Sequence, residues 1–241
     1  MTQTLAWGST YYLPAILADP VCEALGVSRA WFFGCFSAAL LLSGIVGPMA
    51  GRMIDKHGGR DVLTAANVVF ALGLIAMAGS SGPMTLGVAW LLLGLGMGFG
   101  LYEAAFATVA GLWGRDARSA ITGIALFAGF ATVGWPASAF FIEALGWRGA
   151  CVAWAMLHIL MGLPLNRFRV PKAPPPAPLA PAPEHASTAG LPCSMIVLAA
   201  VFGATVFVST ALAAHMPRLF EGLGIAPTVA VLRDAIRLTG R

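Results

Sequence analysis

The chain has 241 residues, 59% of them hydrophobic and 10% charged, with a formal net charge of +4. An ordinary soluble domain carries about 25% charged residues, so this composition excludes a water-soluble globular fold. The four cysteines (Cys22, Cys35, Cys151 and Cys193) show no metal-ligand or redox spacing, so free thiols and neither metal nor cofactor are expected.

The hydrocarbon core of a bilayer is about 30 Å thick and a helix rises about 1.5 Å per residue, so apolar runs of about 18 residues are candidate crossings. Seven are predicted, at roughly 2–18, 31–53, 62–79, 84–112, 119–145, 150–166 and 191–216. Unpaired backbone amides are costly in lipid, and no run shows the ten-residue alternation of a membrane barrel, so these are helices. The predicted class is all-α and integral to the membrane.

The first run starts almost at Met1 without the basic stretch of a cleavable signal, so it reads as retained. Its Gln3, Trp7, Ser9, Thr10, Tyr11 and Tyr12 are too polar for a helix facing only lipid. Trp7 and Tyr11 share a helix face and Tyr12 follows one residue round. The three are placed at a central solute cavity, with an interfacial aromatic belt as the alternative.

The second run ends in GRMIDKHGGR, Gly51 to Arg60, a cluster of charge between two apolar stretches. Alternate loops divide the basic residues unevenly: Arg52, Lys56, Arg60, Arg115, Arg118, Arg167, Arg169 and Lys172 on one side, Arg29 and Arg148 on the other. Positive loops stay cytoplasmic, which predicts a cytoplasmic N-terminus in a multi-pass plasma membrane protein, and explains the basicity without a nucleic-acid partner.

In the fourth run, Gly94, Gly96, Gly98 and Gly100 offer small surfaces for close helix packing, as do Gly44, Gly47 and Gly51 in the second. No strand precedes the glycines of the fourth run and no Lys follows them, so they do not form a phosphate loop. Glu103 lies inside this run with no Lys or Arg at its depth. An intramembrane carboxylate marks solute contact or proton coupling, with structural hydrogen bonding as the alternative. His158 and His215 read as packing or interface residues rather than functional ones.

Pro48, Asp55, Gly58 and Arg60 recur in spacing as Pro136, Glu143, Gly146 and Arg148, each pair 88 residues apart. The offset lays the third run on the sixth, and three crossings per unit put the two copies in opposite orientations. Residues 171–190 contain seven prolines and few bulky apolar groups, and read as an extended cytoplasmic linker. The predicted organisation is a six-helix transmembrane half at 1–166, a Pro-rich linker at 167–190, and a seventh helix with an incomplete tail at 191–241. The tail carries Arg218, Arg233, Arg237 and Arg241 where the loop rule expects an outside segment, which reads as a truncation.

GRMIDKHGGRDVL resembles the loop between helices two and three of the major facilitator superfamily, with Gly51, Asp55, Lys56, Gly58, Arg60 and Leu63 in register and Gly59 departing where a basic residue is frequent. LGWRGA at 145–150 resembles the family's junction between helices five and six. The resemblance implies a bundle of two inverted three-helix repeats, to which the seventh helix is added. It also implies that Gly51, Asp55, Lys56, Gly58 and Arg60 form a cytoplasmic gate that latches against a second half. Anchoring of a short loop is the alternative for these charges. The family's helix-four arginine is absent, and its helix-five Gly-Pro appears only as Gly134, Trp135, Pro136, so neither proton antiport nor drug export carries over.

The function expected from residues and resemblance together is secondary active transport of a small organic solute by alternating access, not enzymatic catalysis. The lipid bilayer and a missing C-terminal half or second protomer are the expected partners. The alternative is a non-transporting membrane subunit or degenerate remnant.

Overall fold

The computed structural model describes residues 1–172 together with 197, 200–205, 207–209 and 212. The expected linker, most of the seventh helix, Cys193 and His215 lie outside the described residues. Two compact units, Met1–Pro174 and Pro175–Arg241, are distinguished. Among the described residues of the second, 200–205 and 207–209 are helical.

In the first unit every regular element is a helix: α1 (Thr2–Thr10), α2 (Pro14–Leu25), α3 (Arg29–His57), α4 (Gly59–Ala78), α5 (Pro83–Gly100), α6 (Tyr102–Trp113), α7 (Ala117–Ala128), α8 (Gly134–Leu157) and α9 (Leu163–Arg169). Four helical stretches, Arg29–His57, Gly59–Ala78, Pro83–Trp113 and Gly134–Arg169, are long and apolar enough to cross a membrane. Leu41, Ile45, Leu72, Ile75 and Phe140 stand exposed on their outer faces. Water would not tolerate so many exposed apolar groups on one small bundle, whereas lipid chains would.

Side-chain contacts fix the helix directions. Trp31 reaches the Pro83 carbonyl at 3.3 Å near the starts of α3 and α5, and Gly94 and Gly98 abut Ala39 and Ser43 further along, so those helices run parallel. Within α8, Gly146 adopts φ 71°, ψ 171°. Trp154 then turns back to donate to Ser138 Oγ at 3.1 Å and packs on Phe141. Gly146 is therefore a reversal, as the expected loop between the fifth and sixth runs requires. Its conformation is one that a side chain resists. Beyond it, Arg148 meets the Ser80 carbonyl at 2.9 Å and Asn166 the Leu63 carbonyl at 3.1 Å, so this segment runs antiparallel to α4.

The core is built where glycines let α5 slot between α3 and α4. A Cβ on Gly94 would lie 2.5 Å from the Ala39 carbonyl oxygen, and one on Gly96 would lie 2.7 Å from the Phe70 ring. Lipid offers little hydrophobic drive for helices to associate, so such close contacts carry much of the packing. Trp90, Phe32, Phe70 and Leu93 fill the space beside them, all fully buried.

Three of the expected continuous runs are interrupted. The first breaks between α1 and α2 before Pro14, whose ring clashes with the carbonyl four residues back and which has no N–H to donate. The fourth breaks at Leu101, with φ −85° and ψ −164°, after a glycine-rich stretch of low helix propensity. The fifth passes through a 3₁₀ segment, Gly129–Val133, ahead of Pro136. The first two breaks correspond: α2 starts at Pro14 and α6 at Tyr102, 88 residues on, and each has 12 residues. The positive-φ glycines of the described residues fall into pairs with the same separation, Gly26 with Gly114 and Gly58 with Gly146.

Gly94→Val is expected to lower unfolding stability by about 1–3 kcal/mol, the cost of overpacking a dense contact. Gly44→Val, at a position where a Cβ meets nothing within 4 Å, should shift thermal unfolding in nanodiscs far less.

Candidate solute site and gate

Each interruption frees backbone carbonyls, and side chains from neighbouring segments satisfy them. Gln3 Nε2 donates to the Gly100 carbonyl at 2.8 Å, closing the break in the fourth run. Trp135 Nε1 donates to the Tyr12 carbonyl at 3.1 Å, closing the break in the first. Thr4 Oγ1 donates to the Phe127 carbonyl at 3.2 Å beside the 3₁₀ segment. The interruptions are thereby drawn together, and Gly134 packs directly on the backbone of Gly8.

At their meeting point lies an aromatic cluster. The Trp7 ring is 4.7 Å from Tyr11, 6.4 Å from Tyr12 and 4.5 Å from Tyr102 by centroid. Tyr12 meets Trp135 edge-on at 5.3 Å, and Tyr102 stacks on Phe106 at 5.3 Å. The structure thus brings Trp7, Tyr11 and Tyr12 together as the helical spacing predicted. Tyr102 and Trp135 join them from breaks that a run of apolar letters conceals. Trp7 Nε1 and Gln3 Oε1 are buried with no hydrogen-bond partner among the described residues, leaving one donor and one acceptor uncommitted beside the rings.

Glu103 follows Tyr102 in the first turn of α6. It is exposed on the bundle rather than packed within it, because the break at Leu101 starts a new helix whose buried face is Ala104, Ala105, Thr108 and Val109. A cavity of about 370 Å³ lies among the start of α1, α6, α7 and the end of α9, with Gln3, Thr108, Asn166 and Arg169 among its lining residues.

The charged turn after α3 lies at that same end. Gly58 takes φ 84°, which only glycine adopts without strain, and separates α3 from α4. Gly51 sits in the last turns of α3, and Asp55 and Lys56 are exposed there. Arg60 pairs with Asp61 at 3.6 Å, and Asp61 also takes Arg167 of α9 at 2.7 Å. Asp61, which the sequence reading did not single out, therefore joins Arg60 at the start of α4 to Arg167 of α9. Asp55 makes no ion pair among the described residues. At the opposite end Arg29 pairs with Asp19, and Arg148 lies 4.1 Å over the Trp147 ring. Among the described residues no group of His, Cys, Asp and Glu is placed to hold a metal.

Interrupted apolar helices, a polar and aromatic cluster at their breaks and charged turns at the ends define a polytopic α-helical membrane protein of transporter type. The family model described as Major Facilitator Superfamily matches residues 2–236, and the chain belongs to that family, whose members are transporters and not enzymes. The chain is also 29% identical over 163 residues to the "Uncharacterized 38 kDa protein in 23S RNA operon" of Thermoproteus tenax. That alignment covers 67% of this chain and 43% of the relative, so the chain spans less than half of the relative's length.

Trp135→Phe keeps a ring against Tyr12 but removes the donor to its carbonyl. Loss of a bond that leaves a buried partner unsatisfied costs about 1–3 kcal/mol. Chemical unfolding in detergent should show a loss of that size, whereas an unchanged midpoint would mean that the bond carries no stability.

Proposed function

We propose that this chain contributes to a secondary transporter that moves a small organic solute across the cytoplasmic membrane by alternating access. The observation that carries this reading is the convergence of the interrupted helices on the cluster of Trp7, Tyr11, Tyr12 and Tyr102, with Glu103 beside it. Discontinuous helices place solutes near the bilayer midplane in transporters built from inverted repeats. An ionised carboxylate in a crossing avoids lipid, so the face that carries Glu103 borders water or another helix bundle.

In this reading residues 1–166 form six crossings in two three-helix repeats of opposite orientation. The 88-residue correspondence of breaks and positive-φ glycines supports it, as does the reversal at Gly146. Of the expected linker at 167–190, residues 167–169 belong to α9, and the expected seventh crossing at 191–216 lies largely outside the described residues; the N-terminus is cytoplasmic, in line with the basic residues at 52–60 and 115–118. The second six-helix half, from further chain or a second protomer, covers the Glu103 face and closes on the gate residues Gly51, Asp55, Lys56, Gly58 and Arg60. Asp55, exposed and without an ion pair in the described bundle, is the group left to form that contact. The cavity bordered by Gln3 and Arg169 is the cytoplasmic approach to the site.

Reconstitution of the transporter into vesicles, with a solute identified by uptake screening, tests this directly. Glu103→Gln imitates a permanently protonated acid. If Glu103 couples transport to protons, the variant retains solute exchange but loses accumulation driven by a pH gradient. Loss of both activities together assigns Glu103 to solute contact, and normal values for both remove it from the mechanism. Absence of flux for every solute from the wild-type protein would overturn the transport reading itself.

A further inference from the structure

His158 is fully buried, and both ring nitrogens are engaged. Nδ1 lies 2.8 Å from Asn67 Oδ1 on α4, and Nε2 lies 2.8 Å from Ser9 Oγ on α1. The Asn67 amide is oriented by its own Nδ2, which donates to the Leu63 carbonyl at 2.8 Å. Its Oδ1 can therefore only accept, so the ring proton sits on Nδ1, and Nε2 at 2.8 Å is a nearer acceptor for the single Ser9 hydroxyl proton than the Ala6 carbonyl at 3.3 Å.

Local structure is arranged around this contact. His158 opens a π-helical turn, His158–Gly162, of a kind that is rare and frequent at functional sites. Gly162 ends the turn against Asn67 Oδ1, where any side chain would displace the amide. The His158 ring also lies against Phe70, 4.9 Å away by centroid. Phe70 is 88 residues before His158, so equivalent positions of the two proposed repeats touch here.

Among the described residues no charged group faces the ring. α1 carries no titratable side chain, α4 carries only Arg60 and Asp61 at its opposite end, and α9 carries Arg167 and Arg169 near its far end. On α8 itself, Cys151 lies two turns back, and Arg148 and Glu143 further still. A buried imidazolium without an anion is costly, so this hub is built for the neutral ring.

Ser9 lies on α1 between Trp7 and the C-capping Tyr11, two residues from each and so on the opposite helix face, and it precedes the break before Pro14. A short helix with an open end frays readily unless it is tied to its neighbours. We propose that His158, as the neutral ring with its proton on Nδ1, is a positioning residue that clamps α1 to α4 through Ser9 and so holds Trp7 and Tyr11 toward the site. The role rests on the solute-site reading for its purpose, but the clamp itself is measured without any solute.

The test uses the full chain in nanodiscs. ¹⁵N-histidine spectra, with the His158 signal identified by its loss in H158Q, should show a neutral ring protonated on Nδ1. Amide exchange then separates the two bonds. H158N preserves a donor for Asn67 but leaves Ser9 only its intrahelical acceptor, the Ala6 carbonyl, and H158N and S9A should each speed exchange at the end of α1 by about tenfold, the loss of roughly one hydrogen bond. H158Q, which keeps an acceptor near the Nε2 position, should stay closer to wild type. Exchange in α4 should change little in S9A. A ring protonated on Nε2, or α1 exchange unchanged in both S9A and H158N, overturns the proposal. Should the His158 variants fail to insert, exchange at the end of α1 in S9A decides it alone. Loss of the clamp with transport intact, or of transport with the clamp intact, would distinguish this inference from the transport reading.

Discussion

The structure depends on one constraint: a backbone carbonyl released from a helix inside the bilayer has no water to bond and must find a protein donor. Among the described residues three runs are interrupted, and at each a side chain from elsewhere in the bundle reaches a carbonyl, Gln3 to Gly100, Trp135 to Tyr12 and Thr4 to Phe127. These bonds do two things at once. They make interruptions tolerable, and they draw the interrupted segments to one place. The aromatic cluster exists there because the donors that satisfy the breaks also carry or adjoin its rings.

The remaining packing follows from what the breaks require. α5 must pass close to both α3 and α4 to bring Gly100 within reach of Gln3, and its glycines remove the side chains that would hold it away. Charge is confined to the ends, where Asp61 joins Arg60 and Arg167 on one side and Asp19 joins Arg29 on the other. Among the described residues Glu103 departs from that arrangement, and it stands at the start of α6 because the break at Leu101 put a helix terminus there. A carboxylate is favoured in the first turn by the partial positive charge of the helix N-terminus.

Much of this was legible in the amino-acid sequence. Apolar run length predicted the helical membrane class, and the charged turn after α3 carried the family resemblance that the family match establishes. The spacing of Trp7 and Tyr11 predicted a shared face, with Tyr12 one residue round. The recurrence of Pro, acid, Gly and Arg pointed to Gly58 and Gly146, which both take positive φ. The breaks were less visible. Pro14 and Pro136 were present as signals but were read within continuous runs, and Leu101 has no proline, only glycines that also serve packing. Missing that break made Glu103 look like a residue within a helix rather than one on an exposed first turn. Asp61 escaped notice because a motif directs attention to Asp55, whereas ion pairing depends on where α9 returns. His158 was legible only as a lone histidine; its importance arises from Ser9 and Asn67, 149 and 91 residues away in the chain.

The central claim is that the breaks create a polar face bordering a solute path rather than lipid, and Glu103 reports on it. In a chain lacking its four native cysteines, cysteines placed at Glu103 and, as a lipid-facing control, at Leu41, which is 70% exposed, can be treated with a membrane-impermeant methanethiosulfonate in sealed vesicles and then in opened ones. Only a thiol in contact with water ionises and reacts readily. The account predicts rapid labelling at position 103 from at least one side of the membrane and none at position 41; equal resistance at both positions would show that Glu103 faces lipid or sealed protein and would contradict it.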